Sequence, residues 1–217
     1  MTHEEGIGSS KATWQAWDDL YRRQPRTWRG PAKEMEFDGA PGTVLELGCG
    51  SGKTLRSLGD HGSIVALDVS LSALKACRRE GIRENVHLVQ GNATLLPVTD
   101  ASIDIVVAHH VLGHLLARDR VASAAEIARV LRSGGSLSIR VLSRDDMRCG
   151  AGKETEPNTF VRGTGVFCHF FDEDEVRGLF PAFSVKSLGR QETQKSLKGS
   201  SALRSEIVAE LIRPAAD

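Results

Sequence analysis

Residues 44–68 read VLELGCGSGKTLRSLGDHGSIVALD. One apolar run stops at three closely spaced glycines, Gly48, Gly50 and Gly52, and a second apolar run ends on the carboxylate of Asp68. Without a Cβ these glycines adopt positive φ cheaply and leave space, so the cluster reads as a sharp turn that lets a ligand approach the backbone. Asp68 stands 20 residues beyond Gly48, the spacing at which an acidic side chain at the end of a second strand reaches a ribose hydroxyl. The stretch therefore predicts strand, turn, helix over 51–59 and strand, built around a nucleoside-type ligand.

The alternation continues outward. Apolar runs predict strands over 43–47, 63–67, 86–90, 103–108 and 136–142, and helical spacing predicts helices over 70–80 and 119–132. Val, Ile and Leu fill the strands almost without interruption, as expected of parallel strands buried on both faces. In the helix over 119–132, Val121, Ala124, Ala125, Ala128 and Leu131 form the expected apolar face, and Ser133-Gly134-Gly135 its stop. Repeated strand–helix units imply an α/β fold, a Rossmann-like and mostly parallel seven-stranded sheet with helices on both faces. Residues 143–168 lack a clean period and read as a long excursion. Residues 171–180 predict a short helix begun by Asp172, and the alternating runs 183–192 and 204–212 a closing antiparallel hairpin with a mobile link over 193–202.

Ahead of the first strand, Trp14, Trp17, Leu20 and Tyr21 recur at helical spacing between Lys11 and Gln24, and Trp28 follows Pro25. This aromatic helix packs on the domain or covers the ligand site with Tyr21 or Trp28; residues 1–10 are expected to be frayed. The chain is expected to form one domain over 1–217, with a cap over 1–40, a cofactor-binding core over 41–142, a substrate-side excursion over 143–170 and a closing helix and hairpin over 171–217.

The 28 basic and 28 acidic residues balance, with a pI near 7.1, which gives no clear nucleic-acid signal. No apolar run is long enough for a membrane span, and the polar start MTHEEGIGSS is unlike a signal peptide, so a cytoplasmic location is expected. Cys49, Cys77, Cys149 and Cys168 are far apart with no CxxC pair, and read as isolated thiols rather than a disulfide frame or a metal site.

Three ligands compete for the glycine turn. A dinucleotide site wants GxGxxG, but position 53 is lysine. A P-loop wants GxxxxGK[ST]; Gly52-Lys53-Thr54 supplies the second half, while Leu47 stands where the first glycine belongs. Asp104 opens its strand rather than closing it, so a Walker-type aspartate is also missing. The third ligand is named by a resemblance. ELGCGSG with LDVS, then GNATLLPV, SIDIVVAHHVLGHL and EIARVLRSGGSLSIRV, resembles in order the motifs of class I S-adenosylmethionine-dependent methyltransferases of the type 11/25 kind, over residues 43–142.

The resemblance implies a methyltransferase with S-adenosyl-L-methionine as cofactor and S-adenosyl-L-homocysteine as product, and no metal. Glu46 and the backbone of Gly48, Cys49, Gly50 and Gly52 would hold the methionine portion. Asp68 would accept both ribose hydroxyls, with Val69 on the adenine and Ser70 beside it. Asn92-Ala93 takes the place of the Asp-Ala frequent in the family, and Ala108 ends the strand beside the methyl; Tyr21 and Trp28 complete the cofactor set. Catalytic candidates are His110 and then His109, either of which can take a proton from an acceptor near neutral pH. His114, Arg140 and His169 are candidates for the acceptor pocket, although a buried Arg140 is more simply paired with a carboxylate such as Asp104 or Glu173. Strand four reads AHHV and lacks the Asn/Asp-Pro-Pro-Tyr that positions exocyclic amino groups. The expected acceptor is thus an O, N or S nucleophile of a small molecule, with no membrane partner, in a monomer or homodimer. The alternatives are a tRNA or protein acceptor, favoured if Lys and Arg cluster around the pocket, and a non-catalytic cofactor-binding protein.

Overall fold

The structure is a computed structural model that describes residues 10–25, 35, 42–58, 62–197 and 200–215. Five parallel strands form its centre: β1 (Thr43–Leu47), β2 (Ser63–Asp68), β3 (Val86–Gln90), β4 (Ile103–His109) and β5 (Leu131–Leu142). After three short strands, β6 (Lys153–Glu156), β7 (Thr159–Val161) and β8 (Phe167–His169), the chain closes with β9 (Ser184–Leu197) and β10 (Ser200–Ile212). The main sheet runs β3-β2-β1-β4-β5-β10-β9, with β10 antiparallel to both neighbours. This is the Rossmann-like sheet with a terminal antiparallel hairpin that the apolar periodicity implied.

Helices cover both faces because alternate strand residues are apolar on both. Val44, Ile64, Ala66, Ile105 and Val107 pack with Leu74 and Cys77 of α2 (Leu71–Arg79). Leu45, Leu47, Val106, Leu137, Ile139 and Ile207 pack on the other face with Ile127 and Val130 of α3 (Ala117–Val130) and Val176 of α4 (Glu173–Leu179). Ser70 caps α2 by accepting from the Ala73 N–H at 3.0 Å, and Asp172 caps α4 by accepting from Glu175 N–H at 2.8 Å. Asp104 takes the structural place its position suggested: Thr43 N–H donates to its Oδ2 at 2.7 Å and Arg132 to its Oδ1 at 2.6 Å.

Several elements differ from the sequence-based expectation. Among the described residues 51–58 only a single 3-10 turn, Thr54–Arg56, forms where a helix over 51–59 was expected. The buried face of α3 is Arg120, Ser123, Ala124, Ile127 and Val130; Val121 and Ala125 are exposed, because both stripes have helical spacing and Ile127 is the larger anchor. The chain is already extended at Leu131, so the strand begins before Ser133-Gly134-Gly135. The described residues of the link over 193–202, 193–197 and 200–202, are strand, β9 and β10 pairing from Ser200 opposite Leu197 down to Ile212 opposite Ser184. The fraying expected of residues 1–10 lies outside the described residues but for Ser10, which opens α1 (Ser10–Arg23). Trp28 lies outside them as well.

The excursion over 143–168 is ordered into a small antiparallel sheet, β6-β7-β8. Its tie to the main domain is a buried polar cluster. Arg120, 5% exposed, donates to Leu115 O at 2.8 Å and lies 3.7 Å from Glu175 and 3.9 Å from Glu156. His169 bridges Thr159 Oγ1 and Glu175 Oε1, each at 2.7 Å. Removing one member of such a cluster leaves the others desolvated and unpaired. Both carboxylates keep about a quarter of their surface in water, so Arg120→Ala should cost about 2 kcal/mol in urea unfolding, below the value for a fully buried pair. A loss under about 0.5 kcal/mol would show that the cluster does not hold the small sheet.

Candidate functional site

The strand order reverses between β1 and β4, and ligands of open α/β sheets bind beyond the strand ends at that point. A cavity of about 270 Å³ opens there. Its first wall is the glycine turn. Gly48 and Gly50 have φ of 70° and 54°. A Cβ on Gly50 would stand 2.3 Å from the Tyr21 hydroxyl, and one on Gly48 3.2 Å from the Val111 side chain, so neither position accepts another residue. Gly48 and Cys49 N–H both donate to Leu67 O, at 2.8 and 3.0 Å.

Asp68 fastens this turn to the end of β2. Its Oδ2 accepts from Gly50 N–H and its Oδ1 from Ser70 N–H, both at 2.8 Å. Burial pushes the carboxyl up to about 6, against the pull of those two donors. Each oxygen keeps a lone pair for a further donor, which is the chemistry two vicinal hydroxyls require. Glu46, 2% exposed beneath the turn, is driven well above the usual carboxylate range by burial, and its Oε2 has no partner among the described residues. A carboxylate open to two hydroxyls and a Cβ-free cradle fit a nucleoside cofactor.

The second wall is α1. Asp18 accepts from Ser70 Oγ and from Ser72 N–H, each at 2.9 Å, which docks α1 on the start of α2. Trp14, Trp17 and Tyr21 thereby line the cavity. The third wall follows β4. His109 Nε2 lies 3.0 Å from Ser138 Oγ. His110 has φ of 65°, its N–H donates to Arg140 O at 2.6 Å, and its ring lies 3.3 Å from Glu206 Oε1. His114 Nδ1 meets the Phe167 carbonyl at 2.7 Å; a carbonyl only accepts, so that nitrogen carries the proton. Burial, then Arg140, pushes His109 down to about 4. Burial also lowers His110, Glu206 opposing it, although water still reaches about 35% of that side chain. All three imidazoles are neutral at pH 7.

The fourth wall is cationic. Lys53, Arg148 and Arg204 line it, and Arg148 is held by Asp146 at 2.7 and 3.0 Å. Glu206 accepts from Arg140 at 3.1 Å and also from Arg204. Of the residues picked out from sequence, Gly48, Cys49, Gly50, Asp68, Val69, Asn92, Ala93, Tyr21, His109, His110 and His114 line the cavity.

Six others do not reach the wall. Glu46 lies beneath the turn. Gly52 makes room for Cys77 Sγ, which would stand 2.7 Å from its Cβ, so its role is helix packing. Ser70 is spent on capping α2 and on Asp18. Ala108 is wholly buried in the core with α3. Arg140 pairs with Glu206 and Gln191 on the hairpin, not with Asp104 or Glu173. His169 spends both ring nitrogens on Thr159 and Glu175. Lys53, Arg148 and Arg204 were missed as site residues. The single lysine after Gly52 was visible as a departure from GxGxxG; nothing in the sequence brings Arg148 and Arg204 together. Among the described residues no cluster of His, Cys, Asp and Glu could hold a metal ion, and no helix is long and apolar enough to cross a membrane.

Residues 45–139 match the family described as "Methyltransferase domain". The tRNA N(3)-cytidine methyltransferase METTL2 of Danio rerio is 31% identical over 169 residues, covering 70% of this chain and 48% of that one. The tRNA N(3)-methylcytidine methyltransferase Mettl2 of Drosophila melanogaster is 32% identical over 168 residues, covering 71% and 50%. The chain thus spans about half the length of the curated relatives it matches. Among solved structures, a SAM-dependent methyltransferase from Anabaena variabilis superposes with a TM-score of 0.70 at 16% identity, covering 98% of this chain and 99% of that one. The expectation of a small-molecule acceptor with no nucleic-acid signal is corrected by the two relatives named for tRNA. Its physical fault is that a whole-chain charge sum of zero concealed the cationic wall. The superposition shows the fold and the domain match shows the family: residues 45–139 place the chain in the class I S-adenosylmethionine-dependent methyltransferase family.

Proposed function

We propose that the protein transfers a methyl group from S-adenosylmethionine to a ring nitrogen of a cytidine in RNA. The observation that carries the reading is the cationic wall of Lys53, Arg148 and Arg204, set beside three neutral histidines at the mouth of the cofactor cavity. The relatives named for tRNA N(3)-cytidine support it. So does strand four: a missing Asn/Asp-Pro-Pro-Tyr argues against an exocyclic amine as nucleophile and says nothing against a ring nitrogen.

When bound, the cofactor supplies a methyl on a sulfonium that is already activated for displacement. The ionised carboxylate of Asp68 accepts from the ribose hydroxyls, Val69 packs on the adenine, and Asn92 pairs with the adenine edge beside Ala93. The backbone of Gly48, Cys49 and Gly50 holds the methionine portion, with Tyr21 closing over the turn. Cytidine N3 carries a free lone pair at neutral pH, so no proton has to be removed before it attacks. A histidine near 4, such as His109, is a poor base but a good neutral hydrogen-bond partner. His110 and His109 are then positioning groups that orient the base, with His114 fixing the wall behind them.

Incubating the protein with unmodified tRNA and methyl-labelled cofactor, then digesting to nucleosides for mass spectrometry, should yield 3-methylcytidine. Label in small molecules but none in RNA would overturn the reading. The cofactor site has its own test. Ribose hydroxyls favour the ionised form of Asp68, whose carboxyl is near 6 in the free protein, so cofactor affinity should fall about tenfold per unit as pH drops below about 6. Asp68→Asn should weaken binding about tenfold or more and flatten that dependence in calorimetry, whereas a pH profile matching the native one would remove Asp68 from the site. His110→Ala should lower turnover on tRNA at least about tenfold while cofactor affinity stays within about twofold. Unchanged turnover would strip His110 of its role.

A further inference from the structure

The two sides of the main sheet differ in what they carry beyond β4. On the face that packs α2, the strands β1, β2 and β4 are apolar up to Glu46, Asp68 and His109 at their carboxyl ends, whereas the same face of β5, β10 and β9 presents Ser138, Arg140, Arg204, Glu206, Glu210 and Gln191. No helix among the described residues covers this polar strip. It meets the cavity where Lys53, on the turn after β1, and Arg204, on β10, share a wall.

The strip is unbalanced in charge. Glu206 is its central acid and is already shared by Arg140, Arg204 and His110. Lys53 has no acidic partner among the described residues. Burial lowers its affinity for a proton, and the nearby Arg204, Arg56 and Arg140 lower it further while Glu206 opposes them. Three cations, Lys53, Arg140 and Arg204, share the one acid at the cavity end of the strip, Glu210 lying further along it against Lys186, and at a partly buried wall they repel one another unless an anion sits among them. The strip lies on the β5–β10 side of β1, whereas Asp68 and Asn92 lie on the β2–β3 side. Its anion therefore belongs to the acceptor half of the cavity.

We propose that Lys53 and Arg204 form a phosphate anchor that holds the RNA backbone next to the acceptor nucleotide. This rests on the RNA reading above. Phosphate contacts fix register without reading sequence, so the anchor sets how deeply the base enters, and the histidines see only a base already in place. The carboxylate of the cofactor offers the same oxyanion chemistry, so the test separates the two sources.

A fluorescently labelled tRNA transcript is titrated with native protein, Lys53→Gln, Lys53→Arg, Arg204→Gln and Lys53→Gln/Arg204→Gln across about 50 to 200 mM salt, with cofactor affinity measured by calorimetry on each. Each glutamine variant should bind tRNA about three- to tenfold more weakly at the middle of that range, with the salt slope shallower by about one. Lys53→Arg should restore binding, and cofactor affinity should stay within about twofold throughout. Arg204→Gln leaves Glu206 with fewer partners and is checked by thermal melting; Lys53→Gln breaks no ion pair among the described residues and carries the test alone if the other variant fails to fold. Native and glutamine variants binding tRNA equally would overturn the anchor and leave the RNA reading standing. Loss of cofactor affinity with tRNA binding intact would assign the cations to the cofactor carboxylate and overturn it too. A native protein that binds no tRNA would overturn both.

Discussion

The carboxylate of Asp68 joins three parts of the molecule that have no other reason to meet. Its two hydrogen bonds set the glycine turn from one side and the start of α2 from the other, and the same Ser70 that donates to it also donates to Asp18 and so seats α1. The arrangement costs stability. An unfolded aspartate titrates near 3.9 and the folded one near 6, so the folded state holds the proton to higher pH. This group's contribution to stability therefore declines as pH rises from about 4 to about 6 and is constant above, at a cost of order 3 kcal/mol at neutral pH. Two hydroxyl donors on the ionised form offset that cost, which makes an unstable carboxylate in the free protein a strong one for binding.

The sheet divides the remaining chemistry. Left of β1, toward β3, the strand ends deliver Asp68, Val69 and Asn92, the groups suited to a nucleoside. Right of it, toward β9, they deliver His109, Arg140, Glu206 and Arg204. The hairpin extends past the sheet: β5 pairs β10 only from Glu206 onward, while residues 200–205 pair with β9 alone. The loop after β5 stitches that overhang down, Ser143 N–H donating to Ser205 O at 3.0 Å and Met147 N–H to Leu203 O at 2.8 Å. Arg148 and Arg204 come to one wall through this stitching. They are 56 residues apart in sequence, so only a long-range pairing could bring them together.

That pattern explains what was legible beforehand. The five parallel strands, α2 and the cap at Asp172 follow from local periodicity and local capping, and these matched closely. The turn was legible because three glycines at φ values between 54° and 81° have few substitutes. The small sheet was not, because strands of three or four residues carry too little periodicity and depend on Arg120, Glu175 and His169 meeting from distant elements. The face of α3 was misjudged for a different reason: Ala125 and Ala128 fit any helical stripe, whereas Ile127 decides which one is buried. Arg140 was correctly expected to be paired, but its partner lies on the next strand, and strand order is not written in the residues themselves.

His110 is where the fold gives up local comfort. A positive φ on a residue with a Cβ costs about 1 kcal/mol or more, and it persists only when the surroundings over-determine it. Here they do: its N–H is held by Arg140 O, its ring faces Glu206, and β4 ends at His109 with nowhere else for the chain to turn. The strain swings the ring from the sheet into the cavity between the nucleoside side and the cationic side. A base removing a proton would gain from a carboxylate that raises its affinity for that proton. Glu206 does face the ring but is shared with Arg140 and Arg204, and burial outweighs its pull, which leaves His110 neutral and oriented. The geometry suits an acceptor atom that arrives with its lone pair free and needs only to be aimed.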